Sequence, residues 1–113
     1  DLKPTRDFSD VRDVVRGYWA LLEGGTAGEV YNLCSGVEWS IERMLNFLIG
    51  QSSVRPIAVR PDPARMRPSD VPVLRGSAEK IEQALGWRRE IPLERTLTDL
   101  LDYWRRRLRS RKD

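Results

Sequence analysis

Arg67 opens a segment, Arg67-Pro68-Ser69-Asp70, that could present a guanidinium and a carboxylate from one short loop. Pro68 fixes its own φ and pushes Arg67 towards extended backbone, so the segment is stiff. A guanidinium fork binds two phosphate oxygens at once and stays charged, although an arginine in such a place often only joins a surface ion pair. Arg6 stands in a second charged block, Arg6-Asp7-Phe8-Ser9-Asp10-Val11-Arg12-Asp13, whose acids read as helix caps and turn formers. Other chemistries lack their residues. With no histidine and one cysteine, Cys34, the chain has no zinc set, no Ser-His or Cys-His pair and no internal disulfide. A single cysteine fits a reducing, cytoplasmic compartment.

The elements that must hold these residues can be read from spacing. Arg6-Asp7-Phe8 is a short extended piece. Asp10 caps a helix with Asp13 in its first turn and an apolar face at Val11, Val14, Val15, Tyr18, Trp19, Leu21 and Leu22; Gly24-Gly25 ends it. Tyr18 and Trp19 are expected to pack in a core or an interface. Glu29 to Cys34 is a short apolar run between glycine-bearing turns, the pattern of a strand buried on both faces. Ser40 caps the next helix, with Ile41, Met44, Leu45 and Leu48 on one face. Ile57 and Val59 suggest a short strand, and Pro61-Asp62-Pro63 a turn. After the Arg67 segment come the apolar run Val71 to Leu74 and a helix from Ser77 that stops at Gly86, with Trp87 as a plug. Pro92 sits near the first turn of the last helix, whose stripe is Leu93, Leu97, Leu100, Leu101, Trp104 and Leu108. The order of elements is α/β.

Three blocks together resemble a known family. Arg67-Pro68-x-Asp70-Val71, followed by Gly76-Ser77-Ala78-Glu79-Lys80 and Leu85-Gly86-Trp87, is similar to the C-terminal signature of the extended short-chain dehydrogenase/reductases that act on nucleotide sugars, the NAD-dependent epimerase/dehydratase family. Arg6-Asp7-Phe8-Ser9-Asp10-Val11-Arg12-Asp13 resembles its R-D-[FWY]-x-x-V-x-D block. Gly28-Glu29-Val30-Tyr31-Asn32-Leu33-Cys34-Ser35-Gly36 resembles its G-x-x-Y-N-[LV]-x-[ST]-G block. The likeness covers nearly all 113 residues and is nearest to the GDP-mannose 4,6-dehydratases and GDP-4-keto-6-deoxymannose reductases.

The resemblance implies the C-terminal portion of such an enzyme, a few short strands with four main helices, without the N-terminal Rossmann half. It implies that Arg6 and Arg67 approach the diphosphate of a nucleotide sugar, with GDP-hexose favoured, and that Asp70 bonds the ribose. Arg65 is a weaker phosphate candidate. Whole enzymes of the family use NAD(P), but this chain carries neither the glycine-rich turn that holds a dinucleotide nor a Tyr-x-x-x-Lys pair: Leu22, Ser35 and Arg107 follow Tyr18, Tyr31 and Tyr103. The chain alone is therefore expected to bind no cofactor and to have no catalytic residues; an alternative is a stand-alone binding or assembly module.

Length and charge bound the rest. A chain of 113 residues is a single domain with a modest core. The net charge of +3 is concentrated in a basic tail, 105–113, which holds 6 of the 20 basic residues and 1 of the 17 acids; the body is net −2. Cations at a helix end suit the helix dipole, with Asp102 paired to Arg105 or Arg106, and this reading is preferred to a nucleic-acid footprint. No run is long enough to span a membrane. A Glu29–Cys34 strand with two apolar faces and open edges demands cover, so a homo-oligomer is expected, with an interface at Val30 to Leu33 or at the Tyr18-Trp19 helix.

Overall fold

The computed structural model describes residues 2–65 and 71–110, the side chain of Arg65 excepted. Its centre is a small sheet of order β2-β1-β3. Strand β1 (Thr5–Asp7) pairs antiparallel with β2 (Glu38–Ser40) and parallel with β3 (Val73–Leu74), so that Arg6 faces Trp39 on one side and Leu74 on the other. Helices α1 (Val11–Gly24), α2 (Ile41–Gly50), α3 (Glu79–Leu85) and α4 (Leu93–Arg109) surround it.

The caps fall where the sequence puts them. Asp10 Oδ1 accepts from the Arg12 amide at 2.8 Å, and Ser40 Oγ from the Arg43 amide at 3.1 Å, each satisfying a donor that the first helical turn leaves open. Gly86, at φ +67°, closes α3. Asp62 takes the amide of Ala64 at 3.0 Å, and Pro63–Arg65 forms a single 3₁₀ turn. Asp102 pairs with Arg105 at 2.9 Å near the end of α4.

Two apolar clusters form the core. Trp39, Leu93 and Leu97 join the sheet to α4, with Phe8, Met44, Phe47 and Leu48 packed against them. Phe47 meets Trp39 edge to face and the Arg43 guanidinium lies 3.6 Å above the Trp39 ring. Ala78, Ile81 and Trp87 make the second cluster with Leu21, Tyr31, Leu33, Cys34 and Leu85. Trp87 is the expected plug, and its indole N–H donates to the Asp13 carbonyl at 3.0 Å.

Three expectations are corrected. Glu29–Cys34 is not a strand: its backbone pairs with no strand among the described residues, and Val30 is 78% exposed. Only one side of the segment is covered, where Tyr31 and Leu33 meet the α3 cluster. A strand needs a neighbour for its N–H and C=O groups, and the described residues supply none. Ile57 and Val59 likewise lie exposed and outside any strand, without a ladder partner. The third concerns α1, whose Tyr18 and Trp19 are expected in a core or an interface, and it corrects only the core. Its stripe of Val11, Val15, Tyr18, Trp19 and Leu22 points to solvent, with Trp19 63% exposed. Asp13 and Gly17 are the buried residues of that helix. A Cβ at Gly17 would come within 2.5 Å of Leu33 and 3.1 Å of the Trp87 ring nitrogen, so a bare Cα is what lets those side chains close on α1.

Candidate functional site

The site is built around β1. Arg6 Nη1 donates to the carbonyls of Thr5 at 2.7 Å and Val71 at 2.9 Å. Of the five N–H donors of a guanidinium, one is thus spent on the neighbouring Thr5 and one ties Arg6 to Val71, the residue at which the described chain resumes after the Arg67–Asp70 segment. Arg67 and Asp70 themselves, the other two expected binding residues, lie outside the described residues.

Asp7, the next residue along β1, accepts four hydrogen bonds. Oδ1 accepts from the Ser35 amide at 2.8 Å and the Ser35 hydroxyl at 2.6 Å; Oδ2 accepts from the amides of Gly36 at 2.8 Å and Gly76 at 3.2 Å. Burial works to raise its pKa, but the bonds from Ser35, Gly36 and Gly76 outweigh it and hold the carboxyl below its ordinary value. Gly76 is needed there, since a Cβ would fall 2.7 Å from the Cys34 sulfur. Cys34 is a free thiol whose pKa burial and the nearby Asp7 charge push up, the opposite of an activated nucleophile.

The other two acids of the block brace the same region from α1. Asp10 accepts from the side chains of Arg12 and Thr96, at 2.8 Å and 2.7 Å, and the Arg12 bond is the main reason its carboxyl sits far below the usual range. Arg12 in turn bridges to Asp99 on α4. Asp13 accepts the amides of Glu90 and Ile91, fixing the turn before α4, and pairs with Arg16 at 2.6 Å. Both acids act as turn formers, as their sequence context suggests.

Asn32 lies on the rim of an open polar hollow with Ser77, Lys80 and Gln83. Lys80 is held by Glu29 and the Val30 carbonyl and stands over the Tyr31 ring. Ser35 is bonded to Asp7 and to the main chain of Val37. Spacing alone brought neither Gly76 nor the 34–36 turn to Asp7; the signal lay in the glycine and small residues of two separate blocks. Among the described residues no group of His, Cys, Asp or Glu is placed to hold a metal ion, and no helix is long and apolar enough to cross a membrane.

The chain resembles known proteins over nearly its whole length. Residues 1–100 match the family model for GDP-mannose 4,6 dehydratase. The GDP-6-deoxy-D-mannose reductase of Pseudomonas aeruginosa is 38% identical over 110 residues, which cover 97% of this chain and 36% of that protein. A P. aeruginosa structure, RMD complexed with NADPH, superposes with a TM-score of 0.85 at 36% identity, over 95% of this chain and 35% of the other. A UDP-glucose 4-epimerase from Thermotoga maritima, solved with UDP-glucose, gives 0.82 at 28% identity over 96% of this chain and 34% of the other. The chain thus spans about a third of the length of these relatives. On the family match and these likenesses, the chain belongs to the GDP-mannose 4,6-dehydratase family.

Proposed function

We propose that this chain is the nucleotide-sugar-binding, C-terminal portion of an NAD(P)-dependent GDP-hexose dehydratase or reductase. Arg6 and Arg67 meet the diphosphate and Asp70 the ribose. One observation carries the reading. Arg6 on β1 reaches the carbonyl of Val71 at 2.9 Å, which ties the Arg-Asp-Phe block to the residue directly after the Arg-Pro-x-Asp segment. A pair of arginines suits a diphosphate, because the arginine fork matches its oxygens in pairs. The likeness to the GDP-6-deoxy-D-mannose reductase favours GDP over other bases. NAD(P) chemistry belongs to the longer protein: a neighbour of this fold carries NADPH, while the sequence here has no glycine-rich dinucleotide turn and no Tyr-x-x-x-Lys pair. The chain alone is then a binding unit without turnover, and its lone cysteine suits the cytoplasm.

A panel of GDP-, UDP- and dTDP-sugars titrated into the chain tests this. GDP-sugars should bind best, and Arg67→Ala should weaken them by about 1.5–3 kcal/mol, the worth of hydrogen bonds to a charged group. Unchanged affinity in Arg67→Ala would leave Arg67 a solvated surface charge.

A second reading, an assembly module, is favoured by the outward stripe of α1. Val11, Val15, Tyr18, Trp19 and Leu22 are exposed on one helix, next in the chain to the half-covered Glu29–Cys34 segment. Apolar faces of this kind mark contact surfaces, and in the isolated chain a second copy meets the need by two-fold association.

A further inference from the structure

Arg6 and Asp7 are consecutive, yet their side chains seize the two ends of one distant segment. Arg6 Nη1 holds the Val71 carbonyl at 2.9 Å, and Asp7 Oδ2 holds the Gly76 amide at 3.2 Å. Between these points the Thr5 amide donates to the Pro72 carbonyl at 2.9 Å, and Val73 and Leu74 pair with Thr5 and Arg6 as β3. A three-residue strand therefore fastens 71–76 at four places. The Asp7 carboxylate also holds the 35–36 turn through three further bonds, from the Ser35 amide, the Ser35 hydroxyl and the Gly36 amide. It is the only one of these contacts that joins all three segments, β1, the 35–36 turn and Gly76.

We propose that Asp7 is a positioning residue for Arg6: by clamping Gly76 and the 35–36 turn to β1, it fixes the 71–76 segment whose Val71 carbonyl orients the Arg6 guanidinium towards a nucleotide diphosphate. The proposal rests on the binding role given to Arg6 above. A long arginine side chain has much rotamer freedom to lose on binding. A guanidinium already held by two carbonyls has lost part of it, so a phosphate meets a preset donor. In Asp7→Asn one acceptor oxygen gives way to an N–H₂, so either the Ser35 donors or the Gly36 and Gly76 amides lose their acceptor. Without the Gly76 bond the 71–76 segment loses that anchor, and Arg6 loses part of what fixes the Val71 carbonyl.

A double-mutant cycle on the whole chain, read by calorimetry with GDP as the probe, separates positioning from mere stability. Asp7→Asn should weaken GDP binding about three- to tenfold at a temperature where the variant is still folded. In an Arg6→Ala background the same change should have almost no further effect, because Asp7 acts through Arg6. Ser35→Ala, which removes one of four donors and keeps the amides, should give a smaller loss in the same direction. Additive losses in the cycle, or an Asp7→Asn variant that loses thermal stability with GDP affinity intact, would make Asp7 a structural residue only. Hydrogen exchange needs no ligand: the amides of Gly36 and Gly76 should exchange at least tenfold faster in Asp7→Ala, which leaves them no side-chain acceptor. Unchanged exchange would overturn the clamp even if the chain bound no GDP, an outcome that by itself would instead overturn the binding role of Arg6.

Discussion

Asp13→Ala should be among the most destabilising single changes in this chain. The Asp13 side chain is 1% exposed. Its Oδ2 is the acceptor for two amides, Glu90 at 3.1 Å and Ile91 at 3.0 Å, and its Oδ1 pairs with Arg16 at 2.6 Å. Alanine leaves two inward-facing N–H groups without an acceptor. Hydrogen bonds to a charged group are worth about 1.5–3 kcal/mol each, and removing one partner of a buried pair costs about 3–5 kcal/mol. Arg16 is half-exposed and can turn to water, so its release adds little, and the expected loss is about 3–5 kcal/mol. A chain of this length has about 6–17 kcal/mol in all, and at about 4 °C per kcal/mol the melting temperature should fall by about 12–20 °C. Asp13→Asn keeps one acceptor but sets an amide N–H₂ against the other donor, so about 2–3 kcal/mol is expected. Urea unfolding followed by circular dichroism measures both. The Trp87 indole bonds to the main-chain carbonyl of Asp13, which both substitutions retain, so native tryptophan fluorescence serves as a control for the local fold. A loss below about 1 kcal/mol in Asp13→Ala, or a larger loss for Asn than for Ala, would refute the account of Asp13 as an acceptor for the 90–91 turn.

Acid should unfold the protein through Asp10 and Asp7. Both carboxyls are held below their ordinary values, Asp10 chiefly by the Arg12 bond and Asp7 by donors that outweigh its burial, so their contribution is full above the unfolded value of about 3.9 and is lost as pH falls through the lower folded values. Unfolding midpoints should be flat from about pH 7 to 5 and drop below about pH 4, and Asp10→Asn should flatten that drop; an unchanged acid limb in the variant would contradict this. NAD(P) should not bind this chain at micromolar levels, and calorimetric heats at that concentration would reveal a dinucleotide site that its glycines do not suggest. Light scattering at micromolar concentration should give at least twice the 13.1 kDa of one chain, and Trp19→Asp should restore the monomer; a monomeric parent chain would sink the assembly reading.

Much of this fold is legible in the sequence because its punctuation is local. Asp10, Ser40, Gly86 and Pro92 each act on the residues beside them, and all four mark the ends they suggest. Trp87 is legible as a plug because it follows a helix stop. The strand Glu38–Ser40 is not: three residues with one buried side chain, Trp39, carry no alternation to detect. Glu29–Cys34 misleads for the opposite reason. Its apolar run has the composition of a doubly covered strand, but composition records the cover a segment suits, and pairing needs a neighbour that the described residues do not provide. At the candidate site, the family likeness singles out Arg6, while the role of Asp7 rests on amides from residues 28, 29 and 69 positions away, beyond the reach of any local pattern.

Helix α1 shows where periodicity stops being informative. A 3.6-residue stripe says which side chains share a face; it does not say which face turns inward. Counting apolar residues puts Tyr18 and Trp19 in a core or an interface, yet of the expected face Leu21 is what packs against the core, and the buried positions are Asp13 and Gly17. Asp13 can go inside because its carboxylate satisfies the Glu90 and Ile91 amides, and a buried acid is tolerated where it is paired and hydrogen-bonded. Gly17 goes inside because the Leu33 side chain and the Trp87 ring occupy the space a Cβ would need. Those two contacts fix the rotation of the helix, and the apolar stripe then has to face outward. A helix turned this way leaves Tyr18 and Trp19 exposed, so the polar anchor at Asp13 is what gives α1 the outward apolar face on which the assembly reading rests.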